Sequence, residues 1–333
     1  MTVVILVLFF SSFLLTILYR HYALARNVID LPNHRSSHIV PTPRGGGMSF
    51  VVVFLIYLLV LRHEGMIDKW DVLGFFVPGL CVAGLGFIDD HRPIPALGRL
   101  LVHFIASSFA ILCLGSLASV EILAGSSLTV IVLMTLFTLF YLVWCLNLYN
   151  FMDGIDGLAA LEGICVCVGG ALIYWLQGYT TMIVLPLAMA ASVAGFLCWN
   201  FPVARIFMGD AGSGFLGLII GLFSIQASHV DDVLFLSWII LSGVFITDAT
   251  ITLILRVLKG HRAGVAHRDH IYQRATDCFQ RHVKVTTGVV VINLIWLLPI
   301  AVLVGARCLN GLTGVLMAYL PLIVLVVLFQ DKD

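Results

Sequence analysis

Long apolar runs, each closed by a short cluster of Gly, Pro, Asp, His or Arg, recur along the whole chain. A helix needs about 20 mostly apolar residues to cross the hydrocarbon core of a bilayer. Eleven stretches reach or approach that length: 2–19, 46–61, 72–88, 100–118, 128–146, 158–176, 181–199, 212–228, 233–255, 285–305 and 311–329. The pattern predicts an all-α integral membrane protein of about eleven transmembrane helices, with the second, third and eighth runs short enough to move the count by one. The first run has no basic segment before it and no small-residue cleavage site after it, so it reads as a span and not a cleaved signal.

Composition agrees. Apolar residues fill 61% of the 333 positions and charged residues 11%, against roughly 25% charged in a soluble domain. The net charge is zero, but its placement is uneven. Eleven spans make the loops alternate between the two faces. One set of connections, 20–45, 89–99, 147–157, 200–211 and 256–284 with the C-terminal tail, holds 15 of the 18 Lys and Arg residues. Arg62, Lys69 and Arg307 lie on the other side. Basic residues collect on the cytoplasmic face, so the N-terminus is expected to be periplasmic and the C-terminus cytoplasmic. The chain reads as one polytopic domain, 1–333, with its working loops on the cytoplasmic face. All six prolines outside the spans fall in those loops, and long ordered loops tend to carry function. The eight cysteines are scattered, without metal-ligand spacing, and read as small apolar residues. No internal repeat is apparent, which weakens a transporter built on inverted repeats.

Five loop motifs carry the chemistry. Gly86-Phe87-Ile88-Asp89-Asp90-His91-Arg92 ends the third span. Adjacent carboxylates at a membrane surface repel unless a cation sits between them, which suits a general base or a divalent-metal site; a solvated helix end is the plain alternative. In Asn147 to Leu158, a helical reading puts Asn150, Asp153 and Asp156 at i, i+3 and i+6 on one broad polar face. No Lys or Arg accompanies them, so they call for an external cation or a donor-rich ligand. An ordinary Asp-Gly turn explains the glycines but not the apolar residues between the acids. In Ile206 to Gly214, small residues at a helix start expose backbone N–H groups as a phosphate seat, with Asp210 placed to hold a metal; helix packing through Gly217 and Gly221 is the competing account. The longest loop carries His261, Arg262, His267, Arg268, Asp269, His270, Tyr272, Gln273 and Arg274. Its donors fit an anion such as diphosphate, and without a third soft ligand zinc is not expected. The segment Asp30 to His38, then Pro41-Thr42-Pro43-Arg44-Gly45-Gly46-Gly47, is a stiff loop with some capacity for anions. Asp248 and His103 are the ionisable residues this reading places within spans; Asp248, two turns from Arg256, is expected to anchor helix packing.

These motifs, in this order and on one face, resemble the polyprenyl-phosphate N-acetylhexosamine-1-phosphate transferases of glycosyltransferase family 4. The resemblance covers nearly the whole chain: Pro-Thr-Pro-Arg-Gly-Gly-Gly, Asp89-Asp90, Asn150 to Gly157, Met208-Gly209-Asp210 and His267-Arg268-Asp269-His270. Arg35-Ser36-Ser37-His38 and His267 to Gln273 bring it closest to the WbpL-like branch that initiates O-antigen. The Arg-Asp pair between two histidines, where the muramyl-pentapeptide branch carries three histidines in a row, argues against a muramyl-pentapeptide substrate. The resemblance implies transfer of a sugar-1-phosphate from a UDP-N-acetylhexosamine to undecaprenyl phosphate, with release of UMP and with Mg²⁺, or Mn²⁺, as cofactor. It also implies the roles. Asp89 is the base toward the lipid phosphate, with Asp90 positioning it or the metal. Asp210 and Asn150 hold the metal. Asp153, Asp156, Asn200 and Phe207 form the nucleotide-sugar pocket. His38, Arg44, His267, Arg268 and His270 bind phosphate. No nucleic-acid partner is expected, and an oligomer is possible. The rival class, a transporter of an anionic or lipid-linked substrate, predicts ionisable residues near the midplane and broken helices in paired positions.

Overall fold

In the computed structural model, which describes residues 1–32, 37–117, 127–260 and 268–330, the chain is almost entirely helical. The helices are α1 (Thr2–Ala25), α2 (Met48–His63), α3 (Lys69–His91), α4 (Ala96–Leu114), α5 (Leu128–Met152), α6 (Leu158–Leu176), α7 (Val184–Asn200), α8 (Asp210–Ser228), α9 (Asp232–Leu241), α10 (Gly243–Leu258), α11 (Ile271–Phe279), α12 (His282–Ile292), α13 (Leu298–Gly305) and α14 (Gly311–Gln330). A π-helical turn, Asn293–Leu297, joins α12 to α13. Among the described residues nine helical segments are long and apolar enough to span a membrane, ten if the bent pair α9–α10 is one span, and α2 is a shorter apolar helix of 16 residues. The only strands among the described residues are β1 (Ile29–Asp30) and β2 (Thr42–Pro43), paired antiparallel with Ile29 opposite Pro43.

Helix α8 is the axis of the bundle. Nearly all of it is buried, and it packs against α2, α3, α4, α5, α6 and α9. Its glycines make this possible, since association within a bilayer relies on close backbone approach. A Cβ at Gly217 would stand 2.4 Å from the carbonyl oxygen of Cys145 on α5, and one at Gly212 would stand 2.7 Å from the Cα of Gly47. From α3, Gly86 comes equally close to the backbone of Ala211. The small-residue pattern at Gly217 and Gly221 is therefore a packing device.

The ninth apolar run is not one straight span. It bends by 71° at Ser242, between α9 and α10. Backbone donors freed inside a bilayer need a partner within the protein. Glu162, fully buried on α6, lies next to this bend. Its carboxyl group lies beside the backbone N–H of Phe245 in the first turn of α10, and Asn293 Nδ2 donates to its Oε2 at 2.5 Å. Glu162 is an intramembrane acid that the sequence reading left out. The region read as the loop 256–284 also contains helix α11 and the first turn of α12. All eight cysteines are free.

Candidate active site

The acidic motifs converge at the end of the bundle where α3 and α5 finish and α8 begins. Helix α3 continues through Asp89 and Asp90 to His91, so the pair occupies its last turn. Asp90 is buried, 3% exposed. Its carboxylate accepts the backbone N–H groups of Asp210 at 3.2 Å and Ala211 at 3.5 Å. The start of α8, expected to seat a phosphate, is thus already capped by a carboxylate. Gly209 has a φ of +77°, and a Cβ there would lie 2.6 Å from Asp90 Oδ2. That position therefore favours glycine on both backbone conformation and space.

Asp89 points elsewhere. It accepts the N–H of Ile94 at 2.5 Å and Arg99 Nη1 at 2.9 Å. The same Arg99 nitrogen donates to Asp210 Oδ2 at 2.8 Å. A cation does sit among the acids, and it is a guanidinium from the first turn of α4. The sequence reading missed Arg99. The signal for it was a basic residue ten positions after Asp89, within the 89–99 connection.

Three segments set the wall opposite. Gly46 N–H donates to Phe207 O and Gly47 N–H to Met208 O, both at 2.9 Å, while Phe207 N–H donates to Pro43 O at 2.8 Å. This strand-like pairing fastens the Pro-Thr-Pro-Arg-Gly-Gly-Gly segment to Phe207-Met208-Gly209. Arg44 is held with its Nη2 2.7 Å from the carbonyl oxygen of Asp90, satisfying the C-terminal end of α3. The His38 and Phe207 rings meet edge to face at 4.8 Å.

Two cavities open on this cluster. One, about 260 Å³, is polar and is lined by Asp30, Ser37, His38, Arg44, Asp90, Asn150, Asp153, Asn200, Phe207, Asp210 and Gln273. The other, about 380 Å³, is largely apolar, with Val82, Leu85, Leu100, Leu146 and Leu253 leading to Arg99, His103 and His270. Asn150, Asp210 and Gln273 line both. Asn150 Nδ2 also donates to Ser213 on α8 at 3.2 Å. His103 Nδ1 is buried without a hydrogen-bond partner, one helical turn beyond Arg99.

Asp153 follows the last residue of α5. Burial, reinforced by the charges of Asp210 and Asp90, pushes its carboxyl up from 3.8 to about 8. Burial disfavours the charged carboxylate, and two neighbouring carboxylates add to that cost. Among the described residues, no three His, Cys, Asp or Glu side chains are arranged to hold a metal unaided. The donors at the cavity junction are the carboxylate of Asp210 and the carboxamides of Asn150 and Gln273. They suit a hard ion such as Mg²⁺, which typically takes one or two carboxylates and completes its shell with substrate phosphates and water.

Not every predicted site residue arrives. Asp156 lies beyond the helix end, so the i, i+3, i+6 face stops at Asn150; its carboxylate pairs with His282 Nδ1 at 3.3 Å and lines neither cavity. Arg268 pairs with Asp277 at 2.7 Å on the outer side of α11 and also lies outside both cavities. Asn200 lines the polar cavity, yet its carboxamide is engaged in fastening loops, accepting from Gly157 N–H and donating to Ile206 O, each at 3.0 Å. Asp89 abuts the cluster but does not line either cavity, whereas Asp90 lines the polar one. His267, with Arg35 and Ser36, lies outside the described residues.

Comparison with known proteins follows the same geometry. The family described as "Glycosyl transferase family 4" matches residues 72–228, from α3 to the end of α8. A phospho-N-acetylmuramoyl-pentapeptide-transferase of Moorella thermoacetica is 30% identical over 233 residues, covering 67% of this chain and 71% of that protein. A decaprenyl-phosphate N-acetylglucosaminephosphotransferase of Mycobacterium tuberculosis (strain H37Rv) is 27% identical over 291 residues, covering 77% of this chain and 71% of its own length. A probable undecaprenyl-phosphate N-acetylglucosaminyl 1-phosphate transferase of Bacillus subtilis is 25% identical over 272 residues, with 78% and 73% covered.

Proposed function

Because the chain belongs to glycosyl transferase family 4, we propose that it transfers N-acetylhexosamine-1-phosphate from a UDP-sugar to undecaprenyl phosphate, releasing UMP. The donor would be UDP-GlcNAc, UDP-FucNAc or UDP-QuiNAc, and the product would start an O-antigen or other cell-envelope polysaccharide at a bacterial inner membrane. The observation that carries this reading is the pair of cavities, one polar and one apolar, sharing Asn150, Asp210 and Gln273. A reaction between a water-soluble nucleotide-sugar and a lipid phosphate needs that layout, with the transferred group at the shared wall.

The polar cavity would take the nucleotide, with Phe207 and His38 offering ring faces and Arg44 a positive charge near the phosphates. The apolar cavity would take the lipid, its phosphate meeting Arg99 first. When Arg99 turns to that phosphate it releases Asp89, freeing a carboxylate oxygen to accept a proton from the lipid phosphate, while Asp90 stays fixed by the start of α8. Asp210 and Asn150 would hold Mg²⁺, which supplies charge neutralisation to the diphosphate as the leaving UMP departs. The concentration of Lys and Arg on the connections around the site supports a cytoplasmic active face.

Purified protein given undecaprenyl phosphate and Mg²⁺ should exchange labelled UMP into at least one member of a panel of UDP-N-acetylhexosamines. Absence of exchange with every donor would overturn the assignment, and the preferred donor would name the sugar.

A further inference from the structure

Helix α11 has no capping side chain of its own: His270 at its N-cap makes no side-chain bond to the helix's first N–H groups. Free donors at a helix start must be satisfied somewhere. Asp248 satisfies them from 23 and 24 residues upstream in sequence. It is buried on α10, 4% exposed. Its Oδ1 accepts Ile271 N–H at 3.0 Å and its Oδ2 accepts Tyr272 N–H at 3.1 Å. His270 Nδ1 lies 3.3 Å from the same Oδ1. One carboxylate thus holds the first two residues of the helix and the imidazole before it.

That contact reaches the reaction chamber. His270 lines the apolar cavity and Gln273 lines both cavities. Tyr272 Oη donates to Phe151 O at 3.0 Å, tying the same turn to the end of α5. The fit leaves no slack, since a Cβ at Gly154 would stand 2.1 Å from Tyr272 Oη. The His270 ring lies nearly parallel to the rings of Phe151, at 6.3 Å, and Tyr272, at 5.9 Å. A carboxylate at Nδ1 fixes the orientation of the imidazole ring.

We propose that Asp248 is a positioning residue: from within the bent span it caps α11 and orients His270, and thereby sets His270 and Gln273 against the two cavities. Asp248 is carried by α10, the half of the span that follows the bend at Ser242. The intramembrane acid is thus the point through which the bent span locates a segment of the reaction chamber.

The test uses Cys278, exposed on α11, as the sole cysteine in a full-length variant, labelled with a nitroxide. Asp248→Ala should free α11 and sharpen the spectrum. On the transferase reading, turnover in UMP exchange should also fall at least tenfold, with KM for the UDP-sugar changed less than turnover and the thermal midpoint in detergent nearly unchanged. Asp248→Asn keeps one acceptor oxygen and should fall between the two. A label as immobile in Asp248→Ala as in the parent would overturn the proposal. Should Asp248→Ala fail to fold, Asp248→Asn decides, and an immobile label with unaltered turnover refutes it. The label needs no catalysis, so loss of exchange in the parent itself would count against the transferase reading and leave the positioning role to be judged by the spectra.

Discussion

Arg99 stands where two carboxylates would otherwise face each other, 2.9 Å from Asp89 and 2.8 Å from Asp210. Removing one partner of such a partly buried cluster leaves uncompensated charge, a cost of up to about 3–5 kcal/mol where burial is complete and less here, since Arg99 keeps some solvent contact. Arg99→Gln should therefore destabilise the protein, and added Mg²⁺ should raise the thermal midpoint of the variant more than that of the parent, because the ion replaces the lost cation. Equal shifts in both would argue against a shared cation position. Asp210→Asn should fold but lose turnover by at least about a hundredfold, and full activity would remove Asp210 from the chemistry. Asp153 gives a pH signature. Its carboxyl is raised from 3.8 to about 8, so between those values the folded protein keeps a proton that the unfolded chain has lost. The neutral form favours the fold, and this contribution fades as pH rises through about 8. Thermal midpoints taken from pH 5 to 9 should decline less in Asp153→Asn than in the parent; parallel curves would count against it. The acids themselves were legible in the sequence because a carboxylate beside an apolar run is costly unless something binds it. Arg99 left only a faint mark, a basic residue ten positions on in the same connection, because spacing alone does not say that its side chain returns to Asp89.

At the scale of elements, apolar run length located the spans well, since the burial that shapes them is an average over many residues. It could not foresee the break in 233–255, where the composition stays apolar across Ser242 and Gly243. The acid that lies beside the break, Glu162, comes from a different helix. Nor did composition show that a loop rich in His and Arg contains α11, a helix whose cap, Asp248, belongs to another element. The carboxylate motif at Asp156 failed for a related reason: helical spacing was extended past the point where α5 ends at Met152. Glycine spacing on α8, by contrast, was read correctly because close packing leaves a local mark. Gly217→Val would drive a side chain into the Cys145 carbonyl, 2.4 Å from the Cβ position. Backbone cannot yield as a flexible side chain can, so the variant should lose at least about 1–3 kcal/mol. Gly84→Val, on α3 with no atom within 4 Å of the Cβ position, is the control and should cost little beyond helix propensity. Comparable thermal midpoints for the two variants would refute the packing role of Gly217.

At the scale of the whole molecule, the uneven placement of Lys and Arg carries the one feature a bundle of helices does not set by itself, which way it faces. Connections at the acidic end hold Arg44, Arg99, Arg205, Arg268 and Arg274, while Arg307 lies at the far end beside Asp231. A basic bias of that size sets orientation during insertion, and both substrates of the proposed reaction must be reachable from the face so chosen. The natural cysteines can test it. Cys278 on α11 and Cys308 between α13 and α14 are both exposed and belong to opposite ends of the chain's last spans. In single-cysteine variants, a membrane-impermeant maleimide should label Cys308 but not Cys278 in right-side-out vesicles, and Cys278 but not Cys308 in inverted ones. The reverse pattern would place the acidic cluster outside, away from any cytoplasmic pool of nucleotide-sugar, and the proposed reaction would lose its donor.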